Sequence, residues 1–465
     1  MSVQDIFRVV RSKRSSGRTH ASRTLTCSTR GAAHPCGAQE PLYQRFLNAI
    51  RFEPIGRTLA LLLVFWSPFS GGPRVPSLLL AVLGLWLLAI QRGGLFTVQA
   101  QRRWGVIFLL LWLPMLLSLP GSYNPKRTLE TVLALPLYYL AGMALIEAMR
   151  ADRARRRLAI GIALVLLFWM ADGFVQYIFG YDLLGIPLTE DGRVVGLFGT
   201  NLHLGTFAAV LLPIVFWFAL ERHAAFAVVA LALSVAIVVL AGARMNLVMI
   251  AVAAGALLVR LSRRWAFGLL VAAALALAAT SALSPVMQER FARAASVTRG
   301  LDFETVNYVL TDRLYIWETA WHMVRDRPLT GIGTGAFAAA YDRYATRSDD
   351  VFRSGHPSAN KPYHTHQMYI SILAESGLLG LAAIVTAFVL VVRWYVAAAD
   401  LRRAQAWPWL TALLVAVFPI NSQPVLYTHW WFPILLLLLC MGLAALDGDG
   451  NVRKPGKKSK KTTTK

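Results

Sequence analysis

Apolar residues in this chain come in long runs separated by short charged segments. Twelve runs stand out, near residues 55–69, 75–90, 104–119, 131–149, 158–179, 202–220, 225–241, 245–259, 266–283, 378–395, 407–420 and 429–446. About 20 apolar residues are needed to cross a hydrocarbon core. Backbone groups in lipid must be bonded within their own segment, so each run is predicted to be a helix. Several runs fall short of that length, and their helices are expected to start in flanking residues. Residues 284–367 contain no comparable run. Within them 312–327 reads as an amphipathic helix, with Leu314, Trp317, Trp321 and Val324 at helical spacing, Thr311 as its N-cap, and Pro328 and Gly331 ending it. The Gly-Ile-Gly-Thr-Gly that follows, residues 331–335, is preceded by no strand, which rules out a dinucleotide fingerprint and leaves a tight backbone turn on top of the bundle. The predicted fold is an all-α polytopic membrane protein of about twelve transmembrane helices. Residues 1–54 form a basic tail, 55–283 the first nine helices, 284–367 an outer segment, 368–446 the last three helices, and 447–465 a Lys-rich tail.

Composition agrees with the pattern. Hydrophobic residues make up 56% of the 465 and charged residues only 15%, against roughly 25% charged in soluble domains. The formal net charge of +23 would by itself suggest nucleic acid as a partner. Its placement removes that reading. The two tails and the five connections at 92–103, 150–157, 221–223, 260–264 and 393–403 hold all of the excess, and the rest of the chain is close to neutral. That is the positive-inside pattern, so both termini are predicted to be cytoplasmic and the number of spans even. Segment 284–367 falls on the opposite side, with ten basic and nine acidic residues. The first 50 residues are rich in Arg and Ser, as transit peptides are, but a disordered cytoplasmic tail, or a start codon taken too far upstream, is the preferred reading. The Lys-rich end is suited to anionic lipid head groups. Cys27, Cys36 and Cys440 form neither a disulfide framework nor a zinc site.

Ionisable residues at membrane depth are costly and therefore candidates for function. Asp172, Arg244 and Glu375 are the ones that stand out. Arg244 ends the small-residue turn Ala-Gly-Ala-Arg on the outer side, where topology does not favour a cation. His364 and His366 lie just outside the tenth span; an imidazole with an ordinary pKa of about 6.5 is a neutral base near neutrality. Two residues apart, they would diverge on a helix, leaving one to reach a reacting centre. Arg313 opens the amphipathic helix, its bland alternative being an ion pair with Asp312. Arg193 and Asn201 form a weaker set in the loop before the sixth span. No outer-facing Asp-x-Asp pair, compact carboxylate cluster, Cys/His ligand set or Walker motif is present in the sequence, so neither a metal nor a cofactor is expected. Arginine forks suit phosphate oxygens and stabilise the charge that develops on a leaving diphosphate. A neutral His takes a proton from an attacking hydroxyl.

Three stretches carry a family likeness: the turn ending in Arg244; Arg-Leu-Tyr-Ile-Trp at 313–317 with Pro-Leu-Thr-Gly-Ile-Gly at 328–333; and His-Thr-His-Gln-Met-Tyr-Ile-Ser-Ile-Leu-Ala-Glu-Ser-Gly at 364–377. Across about 158–395 the chain resembles the O-antigen ligase family. Gln367 stands where that family usually has Asn, and 196–201 is similar to its Gly-x-Phe-x-Asn-Pro-Asn pattern, with Gly199 for the first Asn and Thr200 for the Pro. The resemblance implies a bundle related to C-type glycosyltransferases in a bacterial inner membrane, with a mainly helical periplasmic segment and a periplasmic site. It implies metal-independent, inverting transfer of O-antigen from undecaprenyl diphosphate to a sugar hydroxyl of lipid A–core. His366 would be the base, with His364 as fallback, and Arg244 and Arg313 would hold the diphosphate. An O-antigen polymerase or a protein O-oligosaccharyltransferase would use the same donor. A lipid-carrier or solute transporter is disfavoured, because the candidate charges gather at one face instead of lining a path.

Overall fold

The computed structural model describes residues 51–447 except 70, 91–97, 200, 201, 243, 260, 284, 355–361, 363 and 421–425. Both predicted tails lie almost wholly outside these residues. Helices α1 (Phe52–Phe65), α2 (Arg74–Ile90), α3 (Gln99–Ser118), α4 (Pro125–Ala148), α5 (Asp152–Phe179) and α6 (Leu204–Arg222) form the first half. They are followed by α7 (Ala224–Leu240), α8 (Arg244–Leu258) and α9 (Arg263–Leu283). Four shorter helices make the outer segment: α10 (Pro285–Ala295), α11 (Phe303–Val309), α12 (Arg313–Asp326) and α13 (Phe337–Tyr344). The chain returns through α14 (Met368–Ala397), α15 (Asp400–Ala416) and α16 (Phe432–Asp447). The described regular structure is helical apart from one isolated bridge, Tyr181 to Pro187.

A helix stands on each of the twelve apolar runs. Six, α3 to α6, α9 and α14, are long and apolar enough to cross a membrane unaided. As expected, some begin well before their apolar run: α5 reaches back to Asp152 and α14 to Met368. Trp104, Trp169, Phe207 and Trp431 are fully buried between helices, while Leu133, Leu164 and Phe267 point outward, as lipid-facing side chains do.

The basic connections meet at one end. Asp152 at the start of α5 pairs with Arg155 and Arg402 and accepts from Gln405; Arg156 pairs with Glu221; the Ala100 amide donates to Asp447. Starts of α3, α5 and α15 and ends of α6 and α16 therefore share a level.

The other end is tied by backbone. Inside α14, Gly377 leaves the helix at φ 65°, ψ −164°. The break frees four groups, and residues 328–333 take them: Leu378 and Leu379 amides donate to the Pro328 and Leu329 carbonyls, and Ile332 and Gly333 amides to Ala374 and Glu375. A Cβ on Gly331 would lie 2.3 Å from the Glu375 carbonyl carbon. Gly331, Gly333 and Gly335 all have positive φ, so the tight turn predicted for 331–335 is present. Glu375 is buried and accepts from the Phe337 amide at 3.2 Å.

Two expectations for α12 change. Thr311 is not its N-cap: Thr311 and Asp312 are both left-handed, at φ 59° and 62°, and Asn307 closes the turn by accepting from the Leu314 amide and donating to Asp312. The buried face is Ile316, Ala320, Met323 and Val324, packed on Ile332, Phe337 and Tyr341. The predicted stripe shares only Val324 with it, because α12 carries apolar residues on more than one side and periodicity alone does not say which side is buried.

Candidate active site

The site grows from the four residues that enter α14. Thr365 is fully buried; its hydroxyl meets Ser371 Oγ at 2.7 Å and donates to the Gln367 carbonyl at 2.6 Å. Its carbonyl accepts from Trp317 Nε1 of α12 at 3.0 Å. Gln367 caps α14, accepting from the Ile370 amide at 2.7 Å, and its amide nitrogen donates to Pro419 after α15 at 2.8 Å. Three elements thus pin this loop, and His366 is held at φ 54°, a strained conformation typical of functional positions.

With Thr365 turned into the core, the flanking histidines come together on the other side. Their ring centroids are 4.4 Å apart. The expected divergence assumed a helix, and α14 starts only at Met368. Both imidazoles are half-buried. Burial pushes the His364 pKa down to about 4, with the nearby Arg313 adding to the effect. Burial, His364 and Arg313 together push His366 down to about 4 as well. Both rings are therefore neutral at pH 7.

The two are not equivalent. The His366 backbone amide donates to His364 Nδ1 at 3.0 Å. That bond fixes the His364 proton on Nε2 and makes its outer edge a donor. Among the described residues neither ring nitrogen of His366 has a hydrogen-bond partner. A neutral His366 ring thus keeps an acceptor nitrogen.

Arg313 is the first residue of α12, and Trp317 follows one turn later on the same side. One helix therefore places a cation beside the histidines and anchors their loop. Arg244 opens α8 at the outer end of the bundle. Arg193 pairs with Asp191 of its own loop. That loop is clamped by α5: Asp172 accepts from the Leu183 and Leu197 amides, and Gln176 from Val195 and Gly196. Asp172 is thus a buried structural clamp, and Asn201 lies outside the described residues.

An apolar crevice of about 410 Å³ opens between α3, α8, α14, α15 and α16, within the usual size of a ligand pocket. Its walls include Met368, Tyr369, Ile384, Ala387, Trp407 and Leu435. The first two follow His366 by two and three residues, so the outer end of the crevice adjoins the histidine loop.

Trp317, Thr365 and Gln367 are supporting residues that sequence reasoning missed. Trp317 was counted as core because of its spacing; the one signal for Gln367 was its place beside the second His. Residues 208–385 match the family model described as O-antigen ligase, a stretch that contains Arg244, Arg313 and both histidines. No curated protein matches the chain.

Proposed function

From the match of residues 208–385 to the O-antigen ligase family we propose that this chain is a member of that family and transfers O-antigen from undecaprenyl diphosphate to a sugar hydroxyl of lipid A–core at the periplasmic face of the inner membrane. Arg313 and Arg244 hold the diphosphate, and the polyprenyl chain lies in the apolar crevice below the histidine loop. The acceptor oxygen attacks the anomeric carbon as the bond to the diphosphate breaks. The diphosphate leaves with the electron pair, its charge met by the arginines. His366 takes the hydroxyl proton. One displacement inverts the anomeric centre.

What supports this reading is the His366 ring, near Arg313 and without a hydrogen-bond partner among the described residues, in the loop whose next residues Met368 and Tyr369 line the apolar crevice. An arginine beside a base is a poor arrangement for the empty site, since it holds the imidazole weakly basic. A bound diphosphate reverses this: its negative charge offsets Arg313 and raises the basicity of His366 when a proton has to be taken.

The test uses purified protein, undecaprenyl-diphosphate glycan and rough lipopolysaccharide, with EDTA present. A glycan ladder on the lipopolysaccharide supports the ligase; longer lipid-linked glycan without transfer makes the chain a polymerase. His366→Ala and Arg244→Ala are expected to abolish transfer in folded protein, the His variant by about 10²–10⁴-fold in rate. His364→Asn keeps an acceptor for the His366 amide and is expected to retain most activity. Loss in His364→Asn as complete as in His366→Ala moves the base to His364.

A further inference from the structure

α12 packs one face on the neighbouring helices, and Trp317 at its edge packs on that core and bonds to the histidine loop. One turn on, Trp321 remains 51% exposed, with the Arg325 guanidinium 5.6 Å from its ring centroid. Just beyond the helix Leu329 is 62% exposed. The direction of α12 is set at both ends: Trp317 bonds to Thr365 before α14, and the Leu329 carbonyl accepts from Leu379 just past the kink at Gly377. α12 therefore runs alongside the first part of α14, parallel to it. From the kink to its end α14 is about 30 Å long, enough to span the hydrocarbon core. Its residues Leu378, Leu379 and Val385 are exposed, as lipid-facing side chains of a membrane helix are. Leu329 continues this strip, and Trp321 lies within about two helical turns above it.

We propose that Trp321, Arg325 and Leu329 dock on the outer phospholipid surface of the membrane. Leu329 sits at the hydrocarbon boundary, Trp321 lies in the head-group layer where its ring is amphipathic, and Arg325 meets lipid phosphate. The continuity of Leu329 with the lipid-facing side of α14 identifies the occupant as lipid. Docking gives α12 a fixed depth, and with it Arg313 and the loop that Trp317 anchors.

The test is site-directed quenching in the full-length chain, with Cys27, Cys36 and Cys440 replaced by Ser. Trp321→Cys, Leu329→Cys and, as reference on the exposed outer segment, Ser348→Cys are each labelled with bimane and reconstituted in phosphatidylcholine–phosphatidylglycerol vesicles. The label at 329 is expected to lose fluorescence to lipid carrying a nitroxide high on its acyl chain, and that at 321 to a head-group nitroxide. The label at 348 is expected to respond only to a water-soluble nitroxide. Quenching of 321 and 329 by the aqueous probe to the same extent as 348 overturns the proposal. So does protection from every quencher, which would mean that a protein or a second copy covers the face. Leu329→Cys leaves Trp321 in place, so the two sites report independently if either disturbs folding.

Discussion

At the scale of single residues the site turns on one backbone amide. Because His366 donates to His364 Nδ1, one imidazole is committed to the loop and the other is free to take a proton. The lowered pKa gives this a pH signature. A base whose pKa is pushed down to about 4 is deprotonated above that pH and loses its function below it. The acid limb of kcat/KM, which reports the free enzyme, is therefore expected near pH 4. That of kcat, which reports the complex, is expected higher, because bound diphosphate raises the His366 pKa. Arg313→Gln removes a positive neighbour, so it should move the kcat/KM limb upward while slowing transfer. A pH–rate series on wild type and Arg313→Gln checks both shifts; an unmoved limb would separate Arg313 from the base. Sequence could name both histidines and the arginine, since residue type carries their chemistry. It could not choose between the histidines, because the choice rests on a turn that only the folded loop creates.

At the scale of elements, α12 and the broken α14 act as one unit. Among the described residues a helix stands on each apolar run, since lipid imposes that pattern on sequence directly, and six of them are long and apolar enough to cross a membrane. The runs could not reveal the break at Gly377, whose cause lies in Pro328 and Leu329, far away in the chain. Nor could periodicity decide which apolar side of α12 is buried, since both sides satisfy it. The break gives a sharp prediction. Gly377 has a conformation open essentially to glycine alone, and a Cβ there would lie 2.3 Å from the Leu329 carbonyl carbon. Gly377→Ala is expected to cost about 1–3 kcal/mol from strain alone, seen as a lower Tm in detergent, and to reduce transfer by loosening α12 and the histidine loop. Gly255→Ala on α8, where an added Cβ meets nothing within 4 Å, is the matched control. It should be neutral or slightly stabilising, by up to about 1 kcal/mol of helix propensity. Equal Tm values for the two variants would mean that the kink is not what holds α12 in place.

At the scale of the whole molecule, charge and chemistry are sorted to opposite ends. Basic connections meet where α5 and α15 begin and α6 ends; the histidine loop and Arg313 lie where α12 and α14 meet. Under the positive-inside rule the net charge of +23 marks the end expected in the cytoplasm, and the arginines at the far end owe nothing to that excess. This makes sidedness the condition on which the proposed chemistry depends, since both lipid-linked substrates must meet the histidines from the periplasm. With the native cysteines replaced, Ser348→Cys is expected to react with a membrane-impermeant maleimide on cells with a permeabilised outer membrane. Arg222→Cys, at the end of α6, should react only after the inner membrane is opened. The reverse pattern would put Arg313 and the histidines in the cytoplasm, and no periplasmic acceptor could reach them.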